Sequence, residues 1–189
     1  MATRADCLAA GAPVVNILHA DLSDQVARDQ FIDAAIGLAG PISLLVNNAS
    51  LFEYDDVNTF SAARLDEHLK TNYLAPVELT MALHRRAMAV KSGRAAHVVT
   101  LLDQKVLNLN TDYMTYTLAK LASHSSIRYL AQCCAPVLRV NAIAPGVTLV
   151  SGQMNANEFK QAHQVAALGQ SSTPEDIANA VLLLDRSPA

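Results

Sequence analysis

Gly40-Pro41-Ile42-Ser43-Leu44-Leu45-Val46-Asn47-Asn48-Ala49-Ser50 is the stretch that decides the fold. Gly-Pro stops the helix before it, an apolar run from Ile42 to Val46 follows, and the run ends at two asparagines. Such a run suits a strand covered on both faces, as in a parallel sheet. Polar residues at a strand's carboxyl end stand where open α/β sheets place their ligands.

Outward from this stretch, apolar runs alternate with amphipathic segments of helical length, the pattern of an α/β domain with a parallel sheet. On the amino-terminal side, Asp24 to Leu38 is predicted helical because Val26, Phe31, Ala34, Ala35 and Leu38 form an apolar stripe. Val14 to His19 is a further strand candidate. On the carboxyl side, Ser61 to Tyr73 and Pro76 to Val90 are two helical pieces, divided beside Asn72 by the restriction that Pro76 places on the backbone. Ala95 to Leu102 is a strand running into Asp103, Asp112 to Cys134 is a helix, and Val137 to Ile143 is a strand ending at Pro145-Gly146. The polar segment Thr148 to Asn157 and a helix through Leu168 have the character of a lid. Thr173-Pro174-Glu175-Asp176 opens the last helix as N-cap, proline at the first position and acids in the first turn.

A chain of 189 residues, 51% of them apolar, can bury one core, so residues 1–189 are read as one domain. A net charge of −3 gives no electrostatic footprint for nucleic acid or an anionic membrane. No apolar stretch approaches the length of a membrane span, and no leader pattern opens the chain. Cys7, Cys133 and Cys134 have no C-x-x-C spacing and read as reduced packing residues of a cytoplasmic protein. The histidines never fall at i and i+4, so no metal site is expected.

Tyr116 and Lys120 lie four apart, which on a helix puts both side chains on one face. An ammonium beside a phenol favours the phenolate. Bringing a tyrosine within reach of neutral pH takes roughly 3 to 4 kcal/mol, which a close lysine in a partly dry site could supply. By themselves the two are equally an ordinary helix-surface pair. They are accompanied, in order, by Asp21-Leu22, LLVNNAS at 44–50, Asn72 in NYLAP, VVTLLDQ at 98–104 and RVNAIAPG at 139–146.

Together these motifs, spread over nearly the whole chain, resemble the short-chain dehydrogenase/reductase family. The resemblance implies a Rossmann-like doubly wound parallel sheet binding NAD(P)(H), with Tyr116 as proton donor and Lys120 holding the nicotinamide ribose and tuning the tyrosine. It places Asp21 and Leu22 at the adenine, Asn47, Asn48 and Ala49 along the ribose, Asn72 at a proton-relay water, and Pro145, Gly146 and Thr148 around the nicotinamide amide. Plainer readings stand beside these: Asp21 can cap the following helix, and the asparagines can be turn residues. By the same resemblance a homodimer or homotetramer is expected, paired through Pro76 to Val90 and Asp112 to Cys134.

Two departures qualify the resemblance. The family's serine, thirteen residues before the tyrosine, is Asp103 here. An ionised aspartate only accepts hydrogen bonds and repels a developing oxyanion, so it suits a substrate that presents N–H groups or needs a ring nitrogen protonated. The change could also be incidental. Pteridine reductases of the family carry an Asp at this place, and NNASLF puts Ser50 and Phe52 where those enzymes stack a phenylalanine against a flat pterin. Phe52 could equally be a plain loop anchor.

The second departure is that no T-G-x-x-x-G-x-G turn occurs, although the family uses one to hold the cofactor pyrophosphate. The family's first strand-helix-strand unit and last strand find no match. The expectation is therefore a domain incomplete at both ends, with Ile42–Val46 missing a neighbour, Val14–His19 stranded, and NADPH bound poorly by this chain alone. A sheet repaired by direct pairing or by a partner is the other possibility. Functionally, the resemblance points to an NADPH-dependent reductase of a C=N bond in a dihydropterin-like ring, NADP(H) being favoured over NAD(H) by analogy. A general carbonyl or alcohol oxidoreductase is the alternative, and a catalytically inactive fragment acting through subunit contacts is the reading from another class.

Overall fold

A computed structural model describes residues 2–89, 95–150, 155, 157, 159–161 and 169–187. Three parallel strands, β1 (Leu44–Asn47), β2 (Ala96–Leu101) and β3 (Leu138–Ile143), lie in the order β1-β2-β3. Their register sets Leu44 beside His97 and Ala96 beside Leu138, so all three strands end at one edge. The helices are α1 (Ala2–Ala9), α2 (Gln25–Ala39), α3 (Ala62–Leu69), α4 (Ala75–Ala89), α5 (Met114–Cys134) and α6 (Pro174–Arg186). This is the α/β Rossmann-like architecture expected from the alternation, and α1 is the one helix among these that the sequence patterning did not point to.

The core lies where α2 and α4 meet the sheet, with Ile32, Leu79, Leu83, Val98, Leu138 and Val140 buried together. Burying an aliphatic side chain of this kind is worth about 1.5–3 kcal/mol, so this cluster fixes how α2 and α4 lie on the strands. Local signals set the helix ends. Asp24 caps α2 by accepting from Val26 N–H, Ser61 caps α3, and Thr173 with Asp176 forms a reciprocal capping box on α6. Arg139 ties α6 to β3 by donating to the Leu184 and Asp185 carbonyls, both at 2.8 Å.

Three expectations are corrected. Val14–His19 is not a strand: Val14 and Ile17 are 71% and 60% exposed, because no strand of the described chain lies alongside to complete a ladder. Its fastenings include Arg4 Nε to the Val15 carbonyl and Asn16 Nδ2 to the Leu38 carbonyl. Nor is β1 covered on both faces. It pairs with β2 alone among the described strands and leaves Val46 38% exposed, whereas the central β2 is buried from Ala96 to Thr100.

The third correction concerns Pro76. The chain does not break there: α3 runs into α4 through a π-helical turn, Lys70–Leu74. Proline has no N–H for the carbonyl four residues before it, that of Asn72, and the wider turn accommodates the ring. The freed Asn72 carbonyl accepts instead from Ser123 Oγ of α5 at 2.8 Å. The expected lid and the helix through Leu168 lie largely outside the described residues. Among the described residues, no helix is long and apolar enough to cross a membrane.

Candidate active site

Helix α5 buries Tyr116, Ala119, Lys120 and Ser123, a stripe at i, i+3, i+4 and i+7. That face meets the carboxyl ends of the strands. Tyr116 Oη donates to Asp103 Oδ2 at 2.9 Å, and Lys120 Nζ donates to the Leu101 carbonyl at 2.8 Å. Asp103 lies just past β2, after Leu102. Its Oδ1 accepts the Lys105 N–H at 2.8 Å, capping the short 3-10 turn Gln104–Val106 and fixing the carboxylate toward the tyrosine.

Burial, the Asp103 charge and the bond to that carboxylate together push the Tyr116 phenol well above its ordinary range. The expected drift toward phenolate is therefore reversed. The Lys120 ammonium lies 5.6 Å from the ring centroid, while Asp103 is in direct contact with the hydroxyl. Tyr116 is held as a neutral donor. Lys120 is lowered to about 8 by burial, with the Asp103 charge opposing.

Asn72, buried in the π turn, uses its amide on the loop after β1. Its Oδ1 accepts from Leu51 N–H at 2.8 Å and from Ser50 Oγ at 3.2 Å, and its Nδ2 donates to the Leu51 carbonyl at 2.8 Å. That clamp turns Phe52 toward α5. The Phe52 ring stacks on Tyr113 at 4.1 Å between centroids and meets Tyr116 edge-on at 4.7 Å. Asn47 Nδ2 donates to Thr100 Oγ1 at 3.2 Å, joining β1 to β2, while Asn48 and Ala49 are exposed at the strand end. Pro145 accepts from Gln104 N–H at 2.9 Å, which sets the Pro145–Gly146 bend against the end of β2. Thr148 Oγ1 donates to the Gly146 carbonyl at 3.0 Å.

Thus Asp103, Tyr116, Lys120, Asn72, Ser50, Phe52, Asn47 and the 145–148 bend converge on one edge of the sheet. Asp21 and Leu22 form a separate turn before α2. Ser23 donates its hydroxyl and its N–H to Asp21 Oδ1, both at 2.8 Å, and these bonds hold the exposed carboxyl below its usual range. Sequence reading missed Tyr113, Ser123, Asp55, His68 and Lys105. Ser123 was findable, seven residues after Tyr116 on one helical face, whereas Tyr113 precedes the helix. Asp55 reaches α5 through the path of the loop after β1, and His68 reaches it from α3, which packs against α5.

A family model described as enoyl-(acyl carrier protein) reductase matches residues 1–188, and the chain belongs to the short-chain dehydrogenase/reductase family of oxidoreductases. It is similar to the structure of FolM alternative dihydrofolate reductase 1 from Brucella canis complexed with NADP, with 32% identity and a TM-score of 0.90 over 99% of this chain and 72% of that one. The Brucella suis protein, also in complex with NADP, gives the same identity and TM-score, with 73% of its chain covered. Among curated relatives, human L-xylulose reductase is 27% identical over 96% of this chain and 75% of its own length. D-erythrulose reductase of Gallus gallus is 25% identical over 91% and 70%.

Proposed function

We propose that this site reduces a C=N bond in a dihydropterin-like ring, with NADPH as the reductant. The observation that carries the reading is the carboxylate of Asp103 bonded to a neutral Tyr116 beside the Phe52 ring. NADP in both FolM structures favours NADPH over NADH, and the dihydrofolate reductase name of those neighbours agrees with a pterin substrate.

The residues present fit the nicotinamide and ribose end of such a cofactor. Lys120 uses one of its three donors on Leu101, which leaves two for ribose hydroxyls. Asn47, Asn48 and Ala49 border the same edge, and Pro145, Gly146 and Thr148 bound it from the β3 side. When bound, NADPH supplies the hydride that adds to the ring carbon. Tyr116 gives its phenolic proton to the ring nitrogen, so that C=N becomes CH–NH. Its conjugate phenolate is then stabilised by the Lys120 ammonium, which is charged below about pH 8. Asp103 accepts N–H groups of the heterocycle and orients it, while Phe52, with one face stacked on Tyr113, offers its exposed remainder as an aromatic contact. Asn72 and Ser50 hold the Phe52 loop in place. Asp21 and Leu22 would meet the adenine, and pairing through α4 and α5 into a homodimer or homotetramer belongs to the same proposal.

Reduction of a simple carbonyl is the second reading, favoured by the sugar and ketone chemistry in the names of the curated relatives. Turnover of dihydropterins and simple ketones by the parent and by Asp103→Ser separates the two. Pterin reduction predicts that the parent prefers the dihydropterin and that the serine variant loses roughly 100-fold or more in kcat/KM on it while gaining on ketones. A parent that prefers ketones would sink the pterin reading.

A further inference from the structure

The helix that carries Tyr116 has an unusual beginning. Tyr113, at the N-cap of α5, sits in the left-handed region with φ 51° and makes no side-chain capping bond. The first N–H groups of a helix have no partners within it and need an outside acceptor. Here they come from the loop after β1: the Asp55 carbonyl accepts from Met114 N–H at 3.2 Å, and Asp55 Oδ1 accepts from Thr115 N–H at 3.0 Å. A carboxylate at a helix N-terminus is also favoured by the macrodipole.

We infer that Asp55 is a positioning residue that caps α5 from the Phe52 loop and so sets Tyr116 against Phe52 and Asp103. A second fastening lies alongside. Thr115 Oγ1 meets His68 Nδ1 at 2.9 Å, and His68 Nε2 accepts from Glu53 N–H at 3.4 Å, which places the ring proton on Nδ1, between Thr115 Oγ1 and the Arg64 carbonyl at 3.1 Å. Asp55, His68 and Thr115 are all completely buried. Phe52 then stacks on Tyr113 and meets Tyr116, so residues 52–55 grip residues 113–116 at both ends. Asp55 Oδ2 is buried with no hydrogen-bond partner among the described residues. A carboxylate kept at that cost is explained by the work of its other oxygen.

The inference rests on Tyr116 being the proton donor, and its test has an arm independent of that reading. In the parent protein, the Thr115 amide should exchange with solvent as slowly as amides in the middle of α5; fast exchange overturns the cap. Asp55→Ala should expose the Thr115 amide and lower kcat roughly 10- to 100-fold, with the Kd for NADPH unchanged. Asp55→Asn keeps the Oδ1 acceptor and caps a helix about as well as Asp. It should retain slow exchange and most of kcat. A folded Asp55→Ala variant with parental kcat overturns the inference, as does an equal loss in both variants. If the alanine variant does not fold, the parental exchange and the asparagine variant decide. Absence of turnover on every substrate defeats the proposed reaction, and the exchange data still decide the cap.

Discussion

The two ends of the proposed cofactor groove are built differently. At the Tyr116 end, Asn72, Tyr116 and Lys120 are each at most 5% exposed, and they are hydrogen-bonded to the loop after β1, to Asp103 and to the last residue of β2 respectively. At the Asp21 end, the preceding segment is in no ladder, Asp21 is exposed, and the turn is held by Ser23 and by Arg28, which donates to the Leu22 and Ser23 carbonyls at 2.9 Å each. Buried polar groups with complete partners rigidify a site, whereas an exposed turn moves at little cost. The chemistry end is thus pre-organised by α5, and the distal end depends on one buried arginine.

Tyr116→Phe tests the stronger end. It removes the proton donor and the bond to Asp103 but keeps the ring against Phe52, so kcat should fall about 100- to 10,000-fold with NADPH binding little changed. Near-normal steady-state turnover would break the mechanism. A smaller effect should appear at the distal end with Arg28→Ala. Arg28 is buried, pairs with Glu78 across to α4, and is the donor to two turn carbonyls. Its loss should destabilise the fold by roughly 1–3 kcal/mol and raise the KM for NADPH while sparing kcat. If kcat falls instead, the two ends are not separable.

The smallest effect is a pH dependence of stability. Folding lowers Lys120 to about 8, whereas an unfolded lysine releases its proton near 10.4. Between about pH 8 and 10 the unfolded Lys120 therefore keeps a proton that the folded one has lost, and its contribution to stability rises with pH, opposed by the Cys134 thiol, which burial pushes up. Above that window the unfolded Tyr116 ionises before the folded one, whose phenol is pushed up, and the gain reverses. Melts followed by circular dichroism should show this rise in the parent and a flatter profile in Lys120→Met. An unchanged slope in the variant would remove Lys120 from the explanation.

Much of this was legible in the sequence because it is local. The β1, β2 and β3 runs, the capped start of α6, and the helical spacing of Tyr116 and Lys120 each depend on neighbours along the chain. The stacking of Phe52 on Tyr113 and the capping of α5 by Asp55 depend on where a loop goes, which no spacing encodes. Val14–His19 failed for a related reason: strand propensity is realised only when a neighbouring strand supplies the ladder. The tyrosine's titration was misjudged because proximity of Lys120 was weighed, while burial and contact with Asp103 could not be seen.

The π turn at Lys70–Leu74 has a consequence of phase. A π turn is one residue inserted into an α-helix, and each residue advances a helix by about 100°. That extra step lets Asn72 face the β1 loop while Leu79 and Leu83, on the same continuous rod, face the core. Removing one residue would take out that extra step, leave Pro76 to kink the rod, and rotate one of these faces out of place. The site and the hydrophobic core are thereby geared to each other through a single residue, and the chain can shift the setting of one only by re-indexing the other.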